Sequence, residues 1–263
     1  MTTHSSILIT GASSGIGATY AERLARRGHD LVLVARNQTR LENLAVRLRS
    51  EYKVDVDVIQ ADLTKLDDLV RVEARLRDDA DIGVLINNAG AALAGHGFIN
   101  QHTDDIARLV ALNTTALVRL ASAVSPRLAR SGDGAIVNIS SVVGLAPEFG
   151  MSVYGATKAF VLYLSQGLSL ELAPKGVYVQ AVLPAATDTE IWNQSGVDAA
   201  SLPPMMDVGE LVDAALIGFD LREPVTIPPL HNVTQWENFE AARKAMLPGF
   251  GEIHSAERYQ PSR

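Results

Sequence analysis

A chain of 263 residues with 47% hydrophobic, 20% charged and 5% aromatic side chains has an ordinary globular make-up, which excludes low-complexity disorder, collagen and coiled-coil rods. Basic residues number 23 and acidic residues 30, a net charge of −7, and this modest acidity repels phosphate backbones and argues against nucleic acid as a partner. Cysteine is absent, which removes disulfides, thiolate nucleophiles and Cys-based metal sites.

Apolar runs of strand length alternate with longer stretches of helical period. Ser6–Thr10 reads as a first strand, followed by a helix over Ile16–Arg27 that stops at Gly28. Leu31–Ala35 is continuously apolar, as a strand covered on both faces must be. Asn37 is placed to cap a helix over Thr39–Arg49, and Val54–Gln60 follows as a strand. Leu66–Arg77 predicts a helix, Val84–Asn87 a strand and Asp104–Ala129 one long helix. Ala135–Ile139 predicts a strand, Ser152–Ala173 a helix and Val177–Leu183 a strand. The rhythm then breaks over 184–207, which carry Pro184, Gly196, Pro203 and Pro204 and read as a functional loop. Val208–Phe219 resumes as a helix, with a last strand at Val225–Ile227 and a last helix at Gln235–Met246. This alternation predicts an α/β fold: a doubly wound, Rossmann-type parallel sheet of about seven strands with helices on both faces, in a single domain over 1–263.

The first strand runs into Thr10-Gly-Ala-Ser-Ser-Gly-Ile-Gly17, which opens the first helix. Gly11 allows the tight turn, Gly15 clears the approach of a pyrophosphate, and Gly17 lets helix and sheet pack closely. A glycine turn between strand and helix is a mere connector in many proteins, but after strand one of a βαβ unit it favours dinucleotide binding. The second strand ends Val34-Ala35-Arg36, without the acid that grips a ribose 2′-OH, while Arg36 offers a guanidinium fork to a 2′-phosphate. The expected cofactor is therefore NADP(H).

Tyr154 and Lys158 stand at i and i+4 on one helix face, and Ser141 lies just beyond a strand's carboxyl end. The chemistry that needs this trio is proton transfer to or from an alcohol oxygen while a hydride moves at nicotinamide. A phenol acting as a base near neutrality needs a pKa drop of about three units, roughly 4 kcal/mol. One lysine ammonium about 4 Å away supplies about that much at an effective dielectric of 20. Ser141 would hold the substrate oxygen near the phenol.

On these motifs, with Asn87-Asn-Ala-Gly90 and Pro184 followed by Thr189, the chain resembles the short-chain dehydrogenase/reductase family over nearly its whole length. The resemblance implies Tyr154 as acid/base, Lys158 as the group that lowers its pKa and binds the nicotinamide ribose, and Ser141 as the substrate-oxygen holder. It further implies that Asn113 holds a water linking Lys158 to solvent. Cofactor contacts implied are Gly11, Ser13, Ser14, Gly15, Ile16, Gly17, Arg36, Asp62, Leu63, Asn88, Ala89, Gly90, Tyr154, Lys158, Pro184, Thr187 and Thr189. Asp62 reads equally well as a helix cap, and the Asn87–Asn88 amides as cross-links between strand ends. The family has Pro-Gly where this chain has Pro184-Ala185, and a β-carbon there predicts a local backbone adjustment.

The expected function is NADP(H)-dependent hydride transfer to or from the carbonyl or secondary alcohol of a mainly apolar small molecule. Leu93, Ser141, Val143, Phe149, Trp192 and Met205 are the expected substrate contacts, with the loop 184–207 closing over them. Alternatives on the same fold are a 3-oxoacyl-[acyl-carrier-protein] reductase and a dinucleotide-sensing protein without chemistry. Histidines lack metal-ligand spacing, so no metal is expected. With no basic leader and no stretch read as long enough to span a membrane, a cytoplasmic protein without a membrane partner is expected. The family suggests a homo-oligomer, tetramer or dimer, built through the two long helices.

Overall fold

In the computed structural model the described residues are 5–92, 97–190 and 204–260. They fall into two compact units, residues 1–228 and 229–263. The larger unit is a seven-stranded, wholly parallel sheet in the order β3-β2-β1-β4-β5-β6-β7. Its strands are β1 (Ser6–Thr10), β2 (Leu31–Ala35), β3 (Val56–Gln60), β4 (Ile82–Asn87), β5 (Ala135–Ile139), β6 (Tyr178–Val182) and β7 (Val225–Thr226). Strand order reverses between β1 and β4, the crevice where open α/β sheets bind ligands.

Alternation along each strand builds the two layers. Ile7 and Ile9 face one core with Leu31 and Leu33, whereas Leu8 faces the other with Val32 and Val34. The first layer is α1 (Gly15–Arg26) and α2 (Gln38–Tyr52), through Tyr20, Leu24, Leu41 and Leu48, together with α7 (Val208–Asp220) through Val212 and Leu216. The second layer is α3 (Leu66–Asp78), through Leu69, Val72 and Leu76, and α5 (Leu117–Ser131), through Leu120, Val124 and Leu128. The helix α6 (Ser152–Leu172) joins this second layer through Leu172. Every residue of β2, β5 and β6 is buried, which is why β2 is continuously apolar rather than alternating and why the polar members of the other two, Asn138 and Gln180, are hydrogen-bonded.

Two readings are corrected. The long helix expected over Asp104–Ala129 is three segments: α4 (Thr103–Val110), a π-helical stretch at Ala111–Ala116, and α5. The combined run Thr103–Ser131 is also long and apolar enough to cross a membrane by length and composition, contrary to the sequence reading. Its apolarity has a local cause, since Leu117, Leu120, Val124 and Leu128 are buried, and α5 packs on α3, β4 and β5. Elsewhere boundaries move by a few residues: α2 gains a turn to Tyr52, and β4 begins at Ile82. Part of the expected loop 184–207 is ordered by an isolated parallel bridge between Thr187 and Met206, and residues 191–203 of it lie outside the described residues.

The smaller unit holds α8 (Val233–Ala245), capped by the Asn232 side chain, and two 3-10 turns at Leu247–Gly251 and Glu257–Tyr259. Within it Trp236 and Phe239 stack with ring centroids 5.4 Å apart.

Candidate active site and cofactor cleft

The glycine turn takes the geometry its residues allow. Gly11 and Gly15 have φ of +67° and +52°, a region costly for any residue with a β-carbon. At Gly17 a β-carbon would run into the Gly11 carbonyl oxygen and lie 2.5 Å from Asn88 Nδ2. Helix, turn and β4 are thus in direct contact, with no room for a side chain between them. Asn88 welds this contact, its Nδ2 donating to Thr10 O at 2.9 Å and Gly11 O at 3.2 Å. Thr10 Oγ1 in turn accepts from the N–H groups of Asn88 and Ala89, both at 3.0 Å. Asn87 Nδ2 donates to Asn138 Oδ1 at 3.0 Å, tying β4 to β5. Both asparagines are cross-links, which the sequence offered as one of two readings.

A cleft of about 1050 Å³ opens over these carboxyl ends. Its lining contains nearly all the sequence-predicted cofactor residues: Gly11, Ser13, Ser14, Gly15, Ile16, Arg36, Asp62, Leu63, Asn88, Ala89, Gly90, Tyr154, Lys158, Pro184, Thr187 and Thr189. Gly17 lies beneath the lining, in the packing contact just described. Asp62 is not the helix cap that the sequence also allowed: α3 starts after Lys65, and Asp62 Oδ1 instead accepts from the backbone N–H and hydroxyl of Thr64 in the preceding turn, at 3.0 and 2.7 Å. The sequence reading missed that the first turn of α2, Gln38 to Arg40, and Glu190 also line the cleft. The Asn37 cap was the available signal, because it fixes where α2 begins: Asn37 Oδ1 accepts from Arg40 N at 3.0 Å.

At the other end of the cleft, Ser141, Tyr154 and Lys158 converge. Ser141 ends the chain's exit from β5, its Oγ donating to Pro184 O at 3.2 Å and accepting from Val143 N at 3.2 Å. It also hydrogen-bonds the Tyr154 phenol. Lys158 is 6% exposed as a residue, and its ammonium donates to Ile139 O at 2.9 Å and lies 5.7 Å from the Tyr154 ring centroid. Burial pulls it down to about 8. Burial also pushes the Tyr154 phenol up to about 12, against the opposing pull of the Ser141 hydrogen bond. Desolvation is the largest influence on both groups, and the Lys158 ammonium is held at the Ile139 carbonyl.

Asn113 is buried at the π-helical stretch and does not line the cleft. Its Oδ1 accepts from Ala91 N at 2.9 Å, and its Nδ2 donates to Ala91 O at 3.0 Å and Thr157 Oγ1 at 3.1 Å. The side-chain amide therefore fastens the turn after β4 to α6, one residue from Lys158. Ala185 carries no backbone strain, since Lys53 and Arg222 are the non-glycine residues with positive φ among those described. Of the expected substrate contacts, Ser141 and Val143 line the cleft. Phe149 sits exposed on a 3-10 turn, and Met205 is half-buried beside the Thr187–Met206 bridge, both outside the lining. Leu93 and Trp192 lie outside the described residues. No group of three or more metal-ligating side chains comes together among the described residues.

A glycine-cradled crevice at the strand-order reversal and a Ser–Tyr–Lys cluster at its far end make one continuous site. The short chain dehydrogenase family model matches residues 5–199. The chain belongs to the short-chain dehydrogenase family. It is 64% identical to a short-chain dehydrogenase from Sphingobium yanoikuyae solved in complex with NADPH, with a TM-score of 0.96 over 97% of this chain and 100% of that one. It is 61% identical to a bulky-bulky ketone specific alcohol dehydrogenase from Comamonas testosteroni, with a TM-score of 0.91 over 98% and 99% of the two chains. Among curated relatives, very-long-chain 3-oxoacyl-CoA reductase-A of Danio rerio is 37% identical over 188 residues, covering 70% of this chain. This family member spans only 58% of that relative's length.

Proposed function

We propose that the protein is an NADP(H)-dependent oxidoreductase that interconverts a carbonyl and a secondary alcohol on a mainly apolar small molecule. The observation that carries this reading is the meeting of Ser141, Tyr154 and a desolvated Lys158 in the same cleft as the glycine turn. The cradle fits a dinucleotide: Gly11, Ser13, Ser14 and Gly15 line it, a β-carbon at Gly15 would lie 3.2 Å from the Thr189 side chain that also lines it, and Arg36 stands at the end of β2 where a ribose acid would otherwise sit. NADP(H) supplies or accepts the hydride when bound. The NADPH complex of the Sphingobium relative supports this cofactor.

The protein's own residues handle the oxygen. Ser141 Oγ donates a hydrogen bond to the substrate carbonyl and orients it toward the phenol. Tyr154, kept protonated by burial, donates its proton to the oxygen as the carbonyl is reduced. Lys158 holds positive charge beside the developing phenolate and reaches the ribose side of the cleft. Asn113 keeps α6 and the turn after β4 in register, so that Lys158 and Gly90 face one another.

Bulky groups on both sides of the substrate carbonyl are supported by the bulky-bulky ketone named for the Comamonas relative. A second reading, reduction of a 3-oxoacyl thioester, is favoured by the curated relatives. A panel of bulky aryl and alkyl ketones, sugars, keto acids and 3-oxoacyl thioesters, assayed with NADPH and NADH, separates them. Bulky ketones with NADPH should give the highest kcat/KM, and Tyr154→Phe should lower that turnover by roughly 10²–10⁴-fold while NADPH still binds. A dominant thioester activity would replace the first reading by the second. Absence of turnover on every class, with NADPH bound, would favour a dinucleotide sensor.

Assembly as a homo-oligomer through α6 belongs to the same proposal. Tyr163 and Leu170 on its outer face are 79% and 81% exposed, an uncommon place for large apolar side chains. Cytoplasmic location belongs to the same proposal and is tested by cell fractionation.

A further inference from the structure

An ion pair crosses the cleft and takes no part in the proton chemistry. Arg40 Nη1 donates to Glu190 Oε2 at 2.6 Å, joining the first turn of α2 to the segment that follows β6. Both residues line the cleft with Arg36 and Asn37. The origin of the Arg40 side chain is fixed, because its backbone N–H is the one that the Asn37 cap accepts. Its guanidinium therefore leaves the N-terminal turn of α2, where unpaired N–H groups and the helix dipole already favour an anion. Arg36, just before the cap, has no side-chain partner among the described residues. This corner of the cleft thus presents two guanidinium groups and one carboxylate, all at the end of β2.

We propose that Arg40 is a second ligand of the cofactor's 2′-phosphate, and that Glu190 is the counter-charge which competes with that phosphate for the guanidinium. The proposal rests on the NADP(H) reading. Arg40 and Glu190 side chains are 49% and 47% exposed, so their attraction is screened and weak to exchange. A phosphate dianion carries more charge than a carboxylate and accepts a guanidinium in two parallel hydrogen bonds. The exchange of partners is therefore favourable, but it leaves the Glu190 carboxylate near the phosphate. Glu190 accordingly subtracts from affinity for NADPH and has no bearing on NADH, which lacks that phosphate. Cofactor selectivity is set by the difference between these charges and not by Arg36 alone.

The test is a fluorescence titration of NADPH and NADH with the intact protein and the variants Glu190→Gln, Arg40→Gln, their double variant and Arg36→Gln. Glu190→Gln should tighten NADPH by about three- to tenfold and leave NADH within about twofold. Arg40→Gln should weaken NADPH by about tenfold, and the double variant should behave like Arg40→Gln. If Glu190→Gln changes both cofactors equally, the pair merely ties two walls of the cleft and the proposal is overturned. If it changes neither, or weakens NADPH alone, the proposal is likewise overturned. Arg36→Gln keeps the two layers of argument apart. Selective loss of NADPH there upholds the NADP(H) reading whatever Glu190 does, and an unchanged NADPH titration overturns that reading itself.

Discussion

Lys158 is the residue at which function and stability pull in opposite directions. Its ammonium is buried with a single backbone acceptor, and burial lowers its pKa from an ordinary 10.5 to about 8. Between about pH 8 and the ordinary lysine range the unfolded chain binds more protons than the folded one. The buried charge therefore costs stability below pH 8, and the cost is relieved as pH rises through that window. Lys158→Met should raise the melting temperature at pH 7 by a few degrees, as removal of a cost on the order of 3 kcal/mol offset by the orphaned Ile139 carbonyl implies. The gain over the unmodified protein should shrink at pH 9–10, as followed by calorimetry, and the variant should be inactive. An equal gain at both pH values would mean that packing, not charge, sets it.

At the scale of elements, the sequence was most legible where one physical demand dominates. Burial on both faces makes β2 an unbroken apolar run and leaves one polar residue each in β5 and β6, and their bounds are read to within a residue or two. The glycine turn is legible because three positions each need the absence of a β-carbon. Gly17→Ala shows how tight that demand is. The added methyl meets the Gly11 carbonyl oxygen and the Asn88 amide, two groups bound to each other and unable to retreat independently. NADPH binding should be lost in titration, with a stability loss of about 1–3 kcal/mol in denaturant unfolding. The role of Asn113 was less legible, since its partners Ala91 and Thr157 become neighbours only when β4 and α6 meet. The desolvation of Tyr154 and Lys158 was not legible for a related reason, since it depends on how the helices close over the pair.

For the whole molecule, the exposed face of α6 has a consequence for assembly. Tyr163 and Leu170 lie seven positions apart, two turns, and so share one side of the helix. Leu170→Glu should leave the monomer folded, because the side chain makes little of the core, and should shift the oligomer toward monomer in light scattering. A variant with unchanged mass would remove α6 from the interface. The same scale explains why the substrate contacts were the hardest to read. They come from segments between elements, where no periodicity constrains the chain, and Phe149 lies on such a turn, away from the cleft.

The π-helical stretch at Ala111–Ala116 amounts to one spare residue inserted into an otherwise regular rod. An insertion of that kind lets the flanking turns keep their seats on their neighbours while it offsets the apolar period by one residue, too small a shift to end the helix in the sequence. It also makes the defect removable by shortening the gene by one codon. Deleting Thr115, the exposed member of the stretch, should let α4 and α5 fuse into a continuous α-helix while both keep their seats. Chain length would fall, and the melting temperature should hold or rise. The Asn113 amide would swing away from Ala91 and Thr157, and turnover should drop by at least tenfold with NADPH affinity less affected. A deletion variant that keeps full turnover would show that the active site does not depend on this irregularity.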